Sequence, residues 1–407
     1  MTPKEADDSG HARPLRIGLA TPAWPGTATP NGIASATAQL VAGLEASGHE
    51  VTILALKIDA PTSHPRVIAL PDRPMTLAQR VLFRVAPDRV IRQRAIWRLT
   101  SGAQIAVARY RIEVLMMEES FGWAAEVRKT ITVPVVVTLH GPHWLHRTRP
   151  GKPGPGPDAR REGWEAAGLK RINGIISPSR DVLDRTRAEW GLPDVPTTVI
   201  GNPVHIGPMT EPAANLSAPK LLFVGRFDRI KGGDVLIDAF ARIAAAHPAC
   251  TLTFVGPDAG VAQPDGTLRH LTDALAALPA ATRDRVTVLG HRTRDEIAEI
   301  RRQHPITLIT SRYETFGVAL IEAMSAGSAV VSTRVGGCAE ILRNGETGLL
   351  VPPEDPAALA DACLKLLGDP ALPQRLGAAA RADVAARFAP EAVAREVVTF
   401  LAPIVRS

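Results

Sequence analysis

The feature that most constrains this chain is a pattern that runs through it twice. Residues 15–20 (LRIGLA) form an apolar run of strand length. A Pro/Gly-rich turn over 22–33 (PAWPGTATPNGI) follows, then a helical stripe of Ala34, Ala38, Val41 and Leu44, a stop at Gly48 and a second apolar run over 51–56 (VTILAL). Strand, glycine turn, helix and strand in such a short span are the signature of a βαβ unit with parallel strands. Further strands are expected over 114–117, 133–139, 174–177 and 197–200. A Pro-rich stretch over 205–219 (HIGPMTEPAANLSAP) then reads as a linker. The alternation restarts behind it. Strands are expected at 221–225, 251–256, 286–290, 306–310 and 329–333, with helices near 235–246, 268–277, 296–303 and 317–326 and two more at the C-terminus. The expected architecture is α/β, with two Rossmann-like, doubly wound domains over 1–204 and 220–385 facing across a cleft. A last helix over 386–407 is expected to pack back on the first domain. Ligands of such sheets bind where the carboxyl ends of the strands meet the crevice.

Composition removes several classes. Of 407 residues 45% are hydrophobic and 22% charged, which excludes disorder over the whole chain. No apolar run approaches the ~18 residues of a membrane span. The opening MTPKEADDSGHARP lacks the apolar stretch of a signal peptide, and Cys250, Cys338 and Cys363 lie far apart without a CxxC spacing. A cytoplasmic protein without a zinc ribbon or disulfide scaffold is expected.

The net charge of +6 is unevenly spread. Residues 1–205 hold 26 Lys and Arg against 19 Asp and Glu, and the remainder 21 against 22. Residues 73–111 alone carry nine arginines (Arg73, Arg80, Arg84, Arg89, Arg92, Arg94, Arg98, Arg109 and Arg111), against Asp88 and, at the edge, Asp72. Apolar residues recur between them at helical spacing: Leu77, Val81, Leu82 and Val85, a break at Pro87, then Val90, Ile91, Ile96, Trp97 and Leu99. Such a surface suits anionic lipid or a phosphorylated partner, with peripheral membrane contact as the functional reading. Two ordinary helices with a solvated arginine face fit the same letters. No aromatic ladder or nucleic-acid motif accompanies the charge, so nucleic acid is not an expected partner.

Two constellations carry chemistry. Gly225-Arg226 and Lys231-Gly232-Gly233 directly follow the strand near 221–224, placing two cations beside a glycine-rich helix start whose free N–H groups favour anions. A diphosphate needs such a pair where no metal supplies the charge, and the chain has no Asp-x-Asp pair to hold one. The second is SRYETFGVALIEAMSAG (311–327), with Glu314 before a helix start and Glu322 within the helix. The N–H groups of Phe316, Gly317 and Val318 are expected to face the cleft with the helix's positive end, and the two glutamates to meet hydroxyls on either side of the phosphates. Either constellation alone is an ordinary surface charge pair. Together, each at the end of an expected parallel strand, they point to a nucleotide site.

These residues resemble a known family. VGRFDRIKGGDVLIDAF, SRYETFGVALIEAMSAG and VGGCAEILRNGETGLLVPPEDPAALADA, within 221–367, are similar to retaining glycosyltransferases of family 4, which have the two-domain GT-B fold. PNGIA, GLEASGHEVTIL, VVVTLHG, IISPSR and GNPV carry a looser likeness in the first half. The resemblance implies that Arg226 and Lys231 bind the donor's diphosphate, Glu322 its ribose and Glu314 its sugar hydroxyls, with the Gly290-His291 turn near the base. It implies an active-site histidine at His140 and a phosphate-side glycine at Gly32. It further implies a nucleotide-sugar donor (UDP before GDP), a small-molecule, glycan or lipid-linked acceptor, no cofactor and no metal. Transfer would keep the anomeric configuration by a front-face route, without a carboxylate nucleophile. Asn31 stands where the family has a glycine before Gly32, and Ala329 where it has proline. RPGKPGPGP (149–157) is either an acceptor-side flap or a plain surface insertion. Rival readings are a GT-B epimerase or hydrolase and a catalytically silent nucleotide-sugar-binding subunit. An oxidoreductase would need a G-x-G-x-x-G after the first strand, which is absent.

Overall fold

A computed structural model describes residues 13–25, 32–146, 156–207, 219–263 and 265–406. Asn31, the 149–157 segment up to 155 and most of the 205–219 stretch lie outside the described residues.

The first sheet has seven parallel strands: β1 (Arg16–Thr21), β2 (Glu50–Ala55), β3 (Val67–Ala69), β4 (Val114–Glu118), β5 (Val135–Thr138), β6 (Gly174–Ser177) and β7 (Thr197–Val199). They lie in the order β3-β2-β1-β4-β5-β6-β7. β4 is buried along its whole length, and Ile17 of β1 pairs with Val114 of β4. That burial is why these strands read as continuous apolar runs and not as alternating ones. The strand order reverses between β1 and β4, which opens the crevice at their carboxyl ends.

The second half follows the same logic. It comprises β8 (Lys220–Val224), β9 (Phe227–Asp228), β10 (Thr251–Val255), β11 (Asp258–Ala262), β12 (Leu268–Arg269), β13 (Val286–Gly290), β14 (Ile306–Ile309), β15 (Ala329–Thr333) and β16 (Leu349–Val351). Six of them form a parallel sheet in the order β13-β10-β8-β14-β15-β16, and β12-β11-β9 make a small side sheet. Here the order reverses between β8 and β14.

The helix Pro390–Arg406 returns to the first sheet. Its Val393, Ala394, Val397, Leu401 and Ile404 share a buried cluster with Ile17, Leu19, Val41 and Leu44. Each fully buried Val or Leu contributes roughly 1.5–3 kcal/mol. Close approach depends on Gly43 in the helix Gly32–Ala46, because a Cβ there would meet the Pro390 carbonyl oxygen at 2.1 Å.

Two expected elements are corrected. The helix expected near 268–277 begins only at Leu271, because Leu268 and Arg269 pair with β11 as β12. His270 and Asp273 cap that helix. Behind β15 there are four helices (Gly336–Ile341, Pro356–Gly368, Ala371–Phe388 and Pro390–Arg406) and the strand β16, where only two helices are expected. A three-residue strand such as LLV shows no period by itself and is specified by its partner, Val331 to Thr333 of β15. No helix among the described residues is long and apolar enough to cross a membrane.

Candidate functional site

Both chemical constellations emerge at the β8/β14 reversal. The turn after β8 carries Arg226 and Lys231, and the loop after β14 carries Glu314. Neighbouring strands that run the same way bring their following loops to one edge, so a separation of 83 residues becomes a contact. Lys231 Nζ donates to Glu314 Oε1 at 2.5 Å, and the Ser311 hydroxyl donates to the same oxygen at 2.7 Å. Burial works against the Lys231 ammonium, but Glu314 more than offsets it, so its pKa lies above the ordinary lysine value. Arg226 is exposed and donates through Nε to Asp228 Oδ2 at 2.8 Å, while Asp228 Oδ1 accepts the Lys231 backbone N–H at 2.7 Å. One carboxylate therefore holds the Arg226 guanidinium and the Lys231 backbone, and sequence reading passed it over.

The turn is held tightly from below. Gly232 has φ +66°, and its carbonyl and that of Lys231 accept from the Thr310 hydroxyl at 3.0 and 2.8 Å. A Cβ at Gly232 would lie 2.0 Å from the Thr310 carbonyl oxygen. Gly232→Ala therefore combines left-handed strain with a backbone clash, and a loss of about 3 kcal/mol is expected in urea unfolding. An unchanged midpoint would show that this turn does not need glycine.

The loop from 311 to 317 is equally fixed. Arg312 makes a bidentate pair with Asp234 at 2.8 and 2.9 Å and donates to Glu354 at 2.6 Å. Gly317, with φ +103°, caps the helix Val318–Ser325, so the helix expected from 317 starts one residue later. Among the described residues, the N–H groups of Phe316, Gly317 and Val318 have no hydrogen-bond acceptor. The Phe316 side chain is buried and packs edge-on against Phe388 at 5.4 Å. Glu322 does not stand open: its Oε2 accepts from Arg301 Nη1 at 3.0 Å, while Arg301 Nε and Nη2 are buried without partners. Gly290 ends β13 with φ +66° and accepts the Gly256 N–H at 2.9 Å, and His291 beside it is exposed.

The first domain reaches this loop directly. Ser179 Oγ donates to the Thr315 carbonyl at 2.7 Å, and Tyr313 Oη to Asp181 at 3.0 Å. Glu340 accepts the Arg180 and Asp181 N–H groups at 2.8 Å each, at the start of the helix Arg180–Trp190. A carboxylate there meets both free N–H groups and the positive end of the helix.

His140 follows β5, next to β4, and lines a cavity with Thr37, Glu118, Asn202, Pro203 and Val397. Burial pulls its imidazole down to about 4, so it is neutral at neutral pH. The carboxylates around it carry no motif and were missed. Glu119 accepts the His140 N–H at 3.0 Å and the Gly141 N–H at 2.9 Å, one on each oxygen. Glu165 accepts the His143 N–H at 2.8 Å and pairs with Arg161 at 2.8 Å. Burial pushes Glu119 up to about 8, with Glu165 adding to it, and burial pushes Glu118 up to about 7. Gly32 is the first residue of its helix, and nothing described lies within 4 Å of where its Cβ would be. Among the described residues no group of three or more His, Cys, Asp or Glu is placed to hold a metal ion.

Residues 30–207 match the family model for Glycosyltransferase Family 4, and residues 218–369 that for Glycosyl transferases group 1. The chain is 27% identical over 390 residues to glycogen synthase of Mycobacterium tuberculosis, covering 86% of this chain and 85% of that protein. It is 29% identical over 296 residues to D-inositol 3-phosphate glycosyltransferase 1 of Catenulispora acidiphila, covering 69% of each. Among solved structures, sucrose-phosphate synthase from Thermosynechococcus elongatus superposes with a TM-score of 0.71 at 25% identity, over 96% of this chain and 99% of that one. Two reversed parallel sheets, their paired loops and these likenesses agree: the chain belongs to the family 4 glycosyltransferases, enzymes of the two-domain GT-B fold.

Proposed function

We propose that the enzyme transfers a sugar from a nucleoside diphosphate sugar, with UDP as the leading base, to an acceptor hydroxyl with retention and without a bound metal. The observation that carries this is the Lys231–Glu314 pair beside Arg226 at the β8/β14 reversal. A diphosphate arriving at this edge meets Arg226, Lys231 and the free N–H groups of Phe316, Gly317 and Val318, which supply opposing charge without a metal. The Lys231 ammonium then bridges phosphate and Glu314, and the remaining Glu314 oxygen accepts a hydroxyl of the donor sugar. Glu322 serves the ribose with the oxygen not bound to Arg301, and the Gly290-His291 turn borders the base.

His140, neutral at working pH, accepts or donates a hydrogen bond at the reacting sugar and adds no charge to the site. The leaving phosphate oxygen takes the acceptor's proton on the face it departs from, as retention without a carboxylate nucleophile requires. The names of the two relatives point to different acceptors, glycogen and D-inositol 3-phosphate. The acceptor is accordingly proposed as a hydroxyl of a small molecule, glycan or lipid-linked sugar.

A thermal-shift series with UDP, GDP, ADP and TDP, with and without EDTA, tests the donor site. A nucleotide at a hundred times its dissociation constant adds about 2.7 kcal/mol, enough to raise the melting temperature. One nucleotide acting equally with and without EDTA is expected. A shift that disappears in EDTA would remove the metal-free reading. Release of nucleotide from the donor only when an acceptor is present separates transfer from epimerisation and hydrolysis.

A further inference from the structure

The helix Leu77–Val85 touches the helix Pro87–Tyr110, where Gln79 Nε2 donates to Gln93 Oε1 at 3.3 Å, and leaves its opposite face in water. A capping box forms it locally: the Thr76 hydroxyl accepts the Gln79 N–H, and the Gln79 side chain accepts the Thr76 N–H, both at 3.2 Å. It buries none of its residues. Leu77 and Val85 are each 79% exposed and Val81 59%, and at a spacing of four they form one apolar stripe in water. Arg80 and Arg84 border that stripe on the same wheel.

The arginine-rich region is smaller in space than in sequence. Arg73 stacks on Trp97, Arg109 lies over Tyr110, and Arg92 donates to the Phe121 carbonyl. Arg94 pairs with Asp72, and Arg98 donates to the Leu70 and Pro71 carbonyls. Arg80, Arg84 and Arg89 are exposed and have no partner among the described residues. Their charge is uncompensated, because residues 73–87 contain no acid and Asp88 is held by Arg160 at 2.8 and 2.9 Å.

The location adds meaning. The helix Pro87–Tyr110 leads into β4, so its first turns lie at the carboxyl edge of the sheet, where the Arg92–Phe121 bond ties it. The helix with the open apolar stripe therefore sits at the edge that carries Glu119 and His140.

We propose that this helix docks the enzyme on an anionic lipid surface. Leu77, Val81 and Val85 enter the headgroup boundary, Arg80, Arg84 and Arg89 meet lipid phosphates, and the carboxyl edge of the first domain faces the membrane. A stripe of three apolar side chains on a nine-residue helix is far smaller than the ~800 Å² per partner of a stable protein interface. An anionic leaflet asks for no such area and attracts each free arginine. The proposal does not depend on the donor chemistry above.

Co-sedimentation of the full chain with phosphatidylcholine vesicles, with and without phosphatidylglycerol, at low and high salt, tests it. Binding to the anionic vesicles about tenfold above the neutral ones is expected, weakened by salt. Val81→Asp and the double change Arg80→Glu/Arg84→Glu should each reduce it about tenfold. Val81, Arg80 and Arg84 are exposed on the face turned away from the neighbouring helix, so melting temperature and nucleotide-induced shift should stay as in the parent. Absent binding in the parent, or undiminished binding in both variants, would overturn the proposal. A dimer that Val81→Asp dissolves, with no vesicle binding, would assign the stripe to a second copy of the chain and overturn it equally.

Discussion

The Lys231→Ala enzyme is expected to bind nucleoside diphosphate about 100-fold more weakly than the parent, because removing one partner of a desolvated charge contact costs 2–5 kcal/mol. Two effects add. The ammonium that would meet the phosphate is gone, and Glu314, whose side chain is only 11% exposed, is left as an unneutralised carboxylate facing the anion. The same logic predicts lower stability, since an unpaired, largely buried charge is costly. A Lys231→Ala/Glu314→Gln double variant should regain most of that stability and none of the catalytic turnover. Calorimetric titration with UDP and urea unfolding of the three proteins separate the outcomes. An unchanged dissociation constant in Lys231→Ala would remove the diphosphate from this turn.

Glu119→Ala is expected to lower kcat about 100-fold with little change in the KM for the donor, since misplacing a reacting group by ~1 Å has effects of that size. Glu119 holds the His140 and Gly141 N–H groups on its two oxygens and is 4% exposed, so it acts by positioning the histidine's backbone. Glu119→Gln keeps one acceptor and should recover part of the loss. Equal losses in Ala and Gln variants with a raised KM would point instead to a general collapse of the domain.

The pH dependence gives a second readout. Glu119 ordinarily titrates at 4.5 but keeps its proton to about 8 in the folded protein. Between those values the folded state binds more protons than the unfolded chain, so stability falls as pH rises, by at most about 1.4 kcal/mol per pH unit for one group. His140 acts the other way lower down. Its folded pKa of about 4 lies below the ordinary 6.5, so its contribution is lost as pH falls through that interval. Above about 6.5 only the carboxylates remain, and the melting temperature should decline from there to pH 8. Glu119→Gln should flatten that decline, and a slope identical to the parent's would show that Glu119 is already ionised.

The two main sheets, the strand-end turns and the placement of the second-half candidate residues were legible from sequence because their causes are local. Buried parallel strands are continuous apolar runs, glycines sit where the chain turns left-handed at Gly232 and Gly317, and Arg226, Lys231 and Glu314 lie between a strand end and such a glycine. Short strands such as β9 and β16 were not, since two or three residues show no period and take their conformation from a neighbour. Nor were the carboxylates that complete the site. Asp228 reads as one more loop acid until its two oxygens are seen on Arg226 and Lys231. Glu119 reads as part of a polar strand end until burial and the His140 loop give it a task.

The arginine-rich stretch shows the same division. Sequence placed nine arginines among apolar residues at helical spacing, and only packing decided that Arg73, Arg92, Arg94 and Arg98 meet partners inside the chain while Arg80, Arg84 and Arg89 stay free. Sequence by itself determined which residue types stand at the ends of which strands, because backbone conformation and apolar period are properties of neighbours along the chain. Which of those ends meet, and which charges find partners, was decided only by the tertiary structure. Those contacts depend on strand order and on the distance between loops that lie some eighty residues apart.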